Sequence, residues 1–361
     1  MERRVVRMSI FHNAQGTGGI DVIQNKLKRE ESLTDTAFLL TITISLFIAI
    51  YALSIVFLGD KGFSKIQMFF NLFNENAALI VIACGVSIVM ITGSIDISVG
   101  GSTALICTAC IVCLNNYGFN FFTSLMLALA IGLTFGVVQG FLVAYLEIQP
   151  FIVTLAGMFL GRGLVALIEV NQIQVKNAGF EMLSGARILI PFLGDINKKG
   201  VFIQSKLEYG VIVAIIIVCL MYLLLRKTSL GRSFYAVGGN PQSALMLGIN
   251  VKRTKFYAHL LCGLLAGIGG FLYLFHTRSG SVQQATGLEM DAIAASIIGG
   301  TLLTGGVGNI FGTLFGVLAS GTVLLIVTAI GSQDPWWPQI TRAAMLCFFI
   351  VLQSFICSRK K

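Results

Sequence analysis

The chain has 361 residues, 56% of them hydrophobic and 11% charged, with a mean hydropathy of +0.87. One water-soluble core cannot absorb that much apolar surface, so lipid must solvate much of it. The formal charge of +9 does not mark a nucleic-acid binder, because Lys and Arg fall in a few polar stretches between apolar runs rather than along one face.

Met1 to Thr36 is polar, carries charges of both signs and has no apolar core, so residues 1–37 read as a cytoplasmic tail and not as a cleavable signal. Phe38 to Leu58 follows, 21 residues without a charge. As a helix it is about 31 Å long, enough to cross a hydrocarbon core of about 30 Å. Further apolar runs occupy Ala77 to Ile91, Gly101 to Leu114, Ser124 to Leu146, Phe151 to Ile168, Tyr209 to Leu225, Phe256 to Phe275, Ala292 to Leu303, Ile310 to Ile330 and Ile340 to Cys357. The pattern predicts an all-α polytopic membrane protein of about ten transmembrane helices over residues 38–357. Ala77 to Ile91, Gly101 to Leu114 and Ala292 to Leu303 have only 12 to 15 residues. These three are expected to be short, broken or re-entrant helices.

Within the third run, Cys107, Cys110 and Cys113 have the spacing of an iron–sulfur site but lack a fourth Cys followed by Pro. All eight cysteines lie in or at the end of apolar runs, so each reads as a small hydrophobe and no disulfide framework is expected.

Ten crossings place both termini on one side. The stretch 226–255 carries Arg226, Lys227, Arg232, Lys252, Arg253 and Lys255 with no acid, and the tail 358–361 is also basic, so both are expected in the cytoplasm. The loop Glu169 to Leu207 then falls outside, although it holds five Lys or Arg against three acids. Long loops translocate largely regardless of charge. The halves echo each other, Phe135-Gly136-Val137 in Phe315-Gly316-Val317 and Val99-Gly100-Gly101-Ser102 in Ile298-Gly299-Gly300-Thr301. With five spans in each half, an inverted repeat with the path at its interface is expected.

Four places carry candidate chemistry. In Ile91 to Gly101 a polar, glycine-bearing break separates two apolar runs. Asp96 there fits either a broken helix lining the path, with Ser98 offering hydrogen bonds, or a cap for the following helix. Asp291 precedes the short run Ala292 to Leu303 and reads as an N-cap or a path residue. Arg162 interrupts Phe151 to Ile168, where lipid exposure would cost about 2.5 to 3.5 kcal/mol, so it should face inward. A structural pairing with Asp96 or Asp291 is favoured over contact with substrate, and Thr154 lies one turn inside the same helix, which Pro150 opens. In the basic loop, Gly238 and Gly239 form a turn, Asn240 an N-cap, Pro241 the first helical position, and Gly248 the end of a short helix containing Ala244. That helix fits docking into a partner's groove or lying on the membrane surface.

No GxxxxGK[ST] loop occurs, so ATP cannot be held by a P-loop on this chain, and no HExxH or GxSxG motif marks an enzyme. An ion-coupled secondary transporter using Asp96, Glu289 and Asp291, or a passive channel, are the rival readings.

From about Phe38 to Ser358 the chain resembles the permeases of bacterial binding-protein-dependent ABC sugar importers, the group typified by the ribose permease. The resemblance rests on Gly93-Ser94-Ile95-Asp96-Ile97-Ser98-Val99-Gly100, on Ala236-Val237-Gly238-Gly239-Asn240-Pro241 with Ala244, Gly248 and Ile249, and on Thr304-Gly305-Gly306-Val307-Gly308. Pro150 to Phe159 and Trp336-Trp337 look closest to the galactofuranose permease branch. Ser94 departs from the family's usual second glycine, and the polar tail before Phe38 is longer than expected. The resemblance implies ATP-driven alternating access for a monosaccharide in the bacterial inner membrane, with no cofactor on this chain. It also implies two ATPase subunits holding ATP and Mg, an extracytoplasmic sugar-binding protein, and a second permease subunit, identical or paralogous. Coupling falls to Gly238, Gly239, Asn240, Pro241, Ala244, Gly248 and Ile249. The substrate path falls to Asp96, Ser98, Thr154, Arg162, Asp291 and Thr301.

Overall fold

The computed structural model describes residues 40–196, 202–330 and 337–358. The expected N-terminal tail, the basic residues after Ser358 and Trp336 lie outside the described residues. Each of the ten apolar runs lies wholly or largely in a helix among the described residues, although Ala292 to Leu303 leaves its helix after Ile298. The first is α1 (Leu40–Lys61), followed by α2 (Ile66–Ile91), α3 (Val99–Asn116), α4 (Phe121–Ala144) and α5 (Pro150–Ile168). The second set is α7 (Tyr209–Lys227), α10 (Val251–Thr277), α11 (Leu288–Ile298), α12 (Ile310–Ile330) and α13 (Trp337–Ser358). Eight helices among the described residues are long and apolar enough to span a bilayer.

Two of the three helices expected to be short are not. α3 runs for 18 residues, and α2 runs for 26 because its first three turns carry Asn71, Asn74, Glu75 and Asn76, which interrupt the hydropathy but not the helix. Their amides find partners, with Asn76 Nδ2 donating to the Leu72 carbonyl at 2.8 Å and Asn74 accepting from the Glu208 N–H at 2.9 Å. Only α11 stays short, at 11 residues.

α2 and α10 form the centre. α10 packs against α2, α3 and α4; α2 packs in turn against α11 and α12; α5 lies on α3 and α4, while α13 lies on α11 and α12. This is the pairing that a duplicated five-helix unit produces. Of the two echoed motifs, Phe135-Gly136-Val137 and Phe315-Gly316-Val317 lie within the corresponding helices α4 and α12, whereas Val99 to Ser102 opens α3 and Ile298 to Thr301 closes α11. At the α4–α10 contact Gly132 and Gly136 face Gly263 and Gly267 so closely that any side chain would strike opposing backbone. Small residues at such crossings let helices approach to main-chain contact, which is what drives association in lipid. Three buried hydroxyls join α2, α11 and α12, with Ser87 Oγ 2.8 Å from Ser296 Oγ and 2.7 Å from Thr313 Oγ1.

Short strands, absent from the all-α expectation, occur in the loop after α5 and just after α10. β1 (Ile173–Gln174) pairs with β4 (Ser279–Gly280), and β2 (Arg187–Ile196) pairs with β3 (Phe202–Glu208), with α6 (Ala178–Gly185) between β1 and β2. The hairpin is tied to the bundle by charge. Asp195 accepts the Ile66 and Gln67 N–H groups at the start of α2, a favourable place for an anion. Glu208 pairs with Arg187 at 2.9 Å and His276 at 3.0 Å. Helix direction puts this loop at the end of the bundle opposite the basic stretch 226–255.

At that opposite end α8 (Ser229–Gly239) and α9 (Pro241–Met246) join α7 to α10. The segment through Gly238 and Gly239, expected as a turn, is an 11-residue helix. Thr228 Oγ1 caps it by accepting from the Gly231 N–H at 3.1 Å, and it buries Gly231, Phe234 and Val237 along one side.

Candidate functional site

Three regions carry the candidate residues. The first is the break between α2 and α3. The α2 helix ends on Thr92 and on Gly93, which has a positive φ of 77°. Asp96 Oδ1 accepts both the Ser98 N–H at 2.9 Å and the Ser98 hydroxyl at 2.7 Å, a local turn that ends at Ser98, the N-cap of α3; Ser98 makes no side-chain cap bond, and Asp96 is not itself the cap that the sequence offered. Ser98 Oγ also lies 3.1 Å from the Gln139 side-chain amide of α4, and Thr154 approaches the Ile95 carbonyl at 3.4 Å. His259 of α10 closes the group, its Nδ1 3.9 Å from Asp96 Oδ2. Asp96 and Ser98 are each 3% exposed and Thr154 is fully buried.

Arg162 does not pair with Asp96 or Asp291. Its guanidinium donates to the carbonyls of Val282 and Gln284 at 3.0 and 3.3 Å, and its ionic partner is Glu289 at 3.9 Å. Glu289, in the first turn of α11, reaches back past Gly100, where a side chain would overlap its carboxylate. Asp96 is held by its two bonds to Ser98, and Asp291, in the first turn of α11 and not at its N-cap, which is Gly287, turns to the other side of α11, where Arg342 Nε lies 3.1 Å away. Arg342 was open to the argument applied to Arg162, an arginine inside an apolar run, and so was Gln139 within α4.

The second region is a cavity of about 380 Å³ between α2, α10, α11, α12 and α13, toward the hairpin end. Glu75, Asn76, Tyr273, Gln284, Asp291 and Arg342 face it. Of the path residues expected from the sequence, it gathers Asp291. Thr301 is buried in the turn after α11, its N–H bonded to the Ser296 carbonyl at 2.9 Å.

The third region is the α8–α9 loop. Tyr235 donates its hydroxyl to the Gly308 carbonyl at 2.9 Å, and Gly238 packs directly on the Ile91 carbonyl and on the Gly306 N–H. Gly305 and Gly306 have φ of 84° and 76°, conformations that suit glycine and bring the turn after α11 against α8. Asn240 Oδ1 accepts the Ser243 N–H at 3.0 Å, Pro241 sits at the first position of α9, and Gly248 with φ of 80° ends it, the Ile249 N–H reaching the Ala244 carbonyl at 3.0 Å. Ala244 is buried, whereas Leu245, Met246 and Leu247 are 65%, 89% and 78% exposed. Beside them runs a groove of about 770 Å³ lined by Glu147, Pro150, Pro241, Leu245, Gly248 and Lys252. Lys252 bonds Glu147 at 2.8 Å and holds its carboxyl below the usual carboxylate range.

A family profile described as "branched-chain amino acid transport system / permease component" matches residues 68–350. Among curated proteins, the inner membrane ABC transporter permease protein YjfF of Escherichia coli is 33% identical over 87% of this chain and 91% of its own length. The fructose import permease protein FruG of Bifidobacterium longum is 34% identical over 78% and 81%, and the ribose import permease protein RbsC of Escherichia coli 32% identical over 86% and 92%. No solved structure matches the chain. With a profile that spans most of the chain and relatives at this identity aligned almost end to end, the chain belongs to the family of sugar ABC importer permeases.

Proposed function

We propose that this permease carries a monosaccharide of the ribose, galactose or galactofuranose kind inward across the bacterial cytoplasmic membrane by ATP-driven alternating access. The observation that carries the reading is the seating of α8 and α9: one loop exposes Leu245, Met246 and Leu247, is bonded through Tyr235 to Gly308 in the turn after α11, and is packed through Gly238 on Ile91 at the end of α2. A push on α9 is therefore delivered to both halves of the bundle. Paired ATPase subunits, which hold ATP and Mg, take α9 and the groove beside it. Gly238, Gly239, Asn240, Pro241, Ala244, Gly248 and Ile249 shape that contact, and this end faces the cytoplasm together with both termini. The hairpin end receives sugar from an extracytoplasmic binding protein, and a second permease subunit completes the pathway. Asp96, Ser98, Thr154, Arg162, Asp291 and Thr301 set the shape of the path, Asp96 and Arg162 by holding its helix ends.

The test is co-reconstitution of the permease with the ATPase and binding protein encoded beside it, in liposomes loaded with ATP. Uptake of labelled ribose, galactose or galactofuranose that requires both ATP and the binding protein supports the reading. Uptake that follows a proton or sodium gradient without ATP overturns it.

A further inference from the structure

We propose that the cavity between α2, α10, α11, α12 and α13 is a binding subsite for an uncharged monosaccharide, with Glu75, Asp291 and Arg342 as the groups that contact its hydroxyls. The proposal rests on the importer reading above. A sugar hydroxyl donates one hydrogen bond and accepts others, so a ring of vicinal hydroxyls is best met by a mixed lining. Carboxylates only accept, a guanidinium only donates, and amides do both. The cavity supplies each kind: Glu75 and Asp291, Arg342, and Asn76 with Gln283 and Gln284, while Tyr273 offers an aromatic ring for the sugar's C–H face. Bonds to the charged members are the stronger ones.

Size and charge narrow the class. About 380 Å³ lies near the lower end of small-molecule sites, which suits a single sugar ring rather than an oligosaccharide. Arg342 is already engaged by Asp291 at 3.1 Å, whereas Glu75 makes no ion pair among the described residues. With two carboxyls, Glu75 and Asp291, against the one guanidinium of Arg342, the described lining is acidic on balance, and a uronate or sugar phosphate placed there would meet like charge at close range. Behind the Asp291–Arg342 pair the space turns apolar, lined by Met290, Ala294, Ala343 and Leu346. The pair is the polar wall of the site.

The experiment is saturation-transfer NMR on the full-length permease in lipid nanodiscs, with D-galactose and D-ribose against D-galacturonate and galactose 6-phosphate. The neutral sugars are expected to receive saturation, the anionic ones to bind at least about tenfold more weakly. Glu75→Gln should weaken D-galactose about tenfold and narrow the discrimination against galacturonate. The charge swap Asp291→Arg with Arg342→Asp should keep the melting temperature yet alter sugar affinity. Equal binding of galactose and galacturonate by the native protein, unchanged affinity in Glu75→Gln, or native affinity in the charge swap would each overturn the subsite. Absence of any neutral-sugar binding while the reconstituted importer still transports also overturns it and leaves the importer reading standing. Binding without ATP-dependent transport does the reverse.

Discussion

The backbone N–H of Gly306 donates to the Ile91 carbonyl over 2.8 Å, and Gly238 packs on the same carbonyl oxygen from α8. Three segments far apart in the chain thereby meet within one peptide group, with no side chain between them.

Gly238→Ala is expected to force α8 away from this junction, because its Cβ would overlap the Ile91 carbonyl and sit 2.5 Å from the Gly306 nitrogen. Overpacking of that kind costs about 1–3 kcal/mol. Gly163→Ala, in α5 and away from the α8–α9 loop, meets nothing within 4 Å and serves as the control. ATP-dependent uptake in liposomes should fall at least about tenfold in the first variant and stay near native in the second. Equal behaviour of the two would mean that α8 does not transmit the stroke.

Asp96→Ala removes the acceptor for two Ser98 donors and should lower stability by about 1–2 kcal/mol, read as a loss of melting temperature in detergent. Asp96→Asn retains an oxygen in the same place and should melt near the native temperature, since an amide oxygen can accept the same two Ser98 donors. Normal melting with lost uptake in Asp96→Asn would assign the negative charge itself a role in transport.

Arg162→Met should destabilise the protein by about 3 kcal/mol or more, because it leaves Glu289 buried without its cation and three loop carbonyls without a donor. Adding Glu289→Gln removes the stranded charge and should recover part of the loss. Thermal unfolding of both single variants and the double variant gives the coupling; strict additivity would mean that the 3.9 Å pair carries no energy.

The Glu147–Lys252 pair predicts a pH dependence with a definite sign. A carboxyl held below its ordinary pKa of about 4.3 favours the folded pairing above that value, and the contribution is lost as pH falls through the lowered folded value. Both side chains are well exposed, so salt should screen the effect. A carboxyl-carbon NMR titration of Glu147 should show a midpoint below about 4.3 that returns to the ordinary range in Lys252→Met. An identical midpoint in both proteins would remove the pair from the groove's electrostatics.

Hydropathy made the ten helices legible because lipid demands long apolar runs, and capping chemistry made Asn240, Pro241 and Gly248 legible because those positions each need one kind of backbone. The lower half of α2 was hidden for the converse reason: Asn71, Asn74, Glu75 and Asn76 are polar toward a cavity and a hairpin that exist only after folding. The cavity itself draws residues from five helices, so no local spacing announces it. Arg162 advertised a buried partner but not which one, since Asp96, Glu289 and Asp291 become distinguishable only when α11 turns Glu289 to one side and Asp291 to the other.

α10 begins at Val251, capped by Asn250 immediately after the loop that carries α9, and runs unbroken for 27 residues to Thr277, with Tyr273 on the cavity near its far end. A rod of about 40 Å pivoting by about ten degrees at its middle displaces each end by about 3 Å in opposite senses. Because the glycines of α4 lock that helix to α10 near the pivot, the two form one stiff beam, with the proposed ATPase contact at one end of it and the proposed sugar subsite at the other.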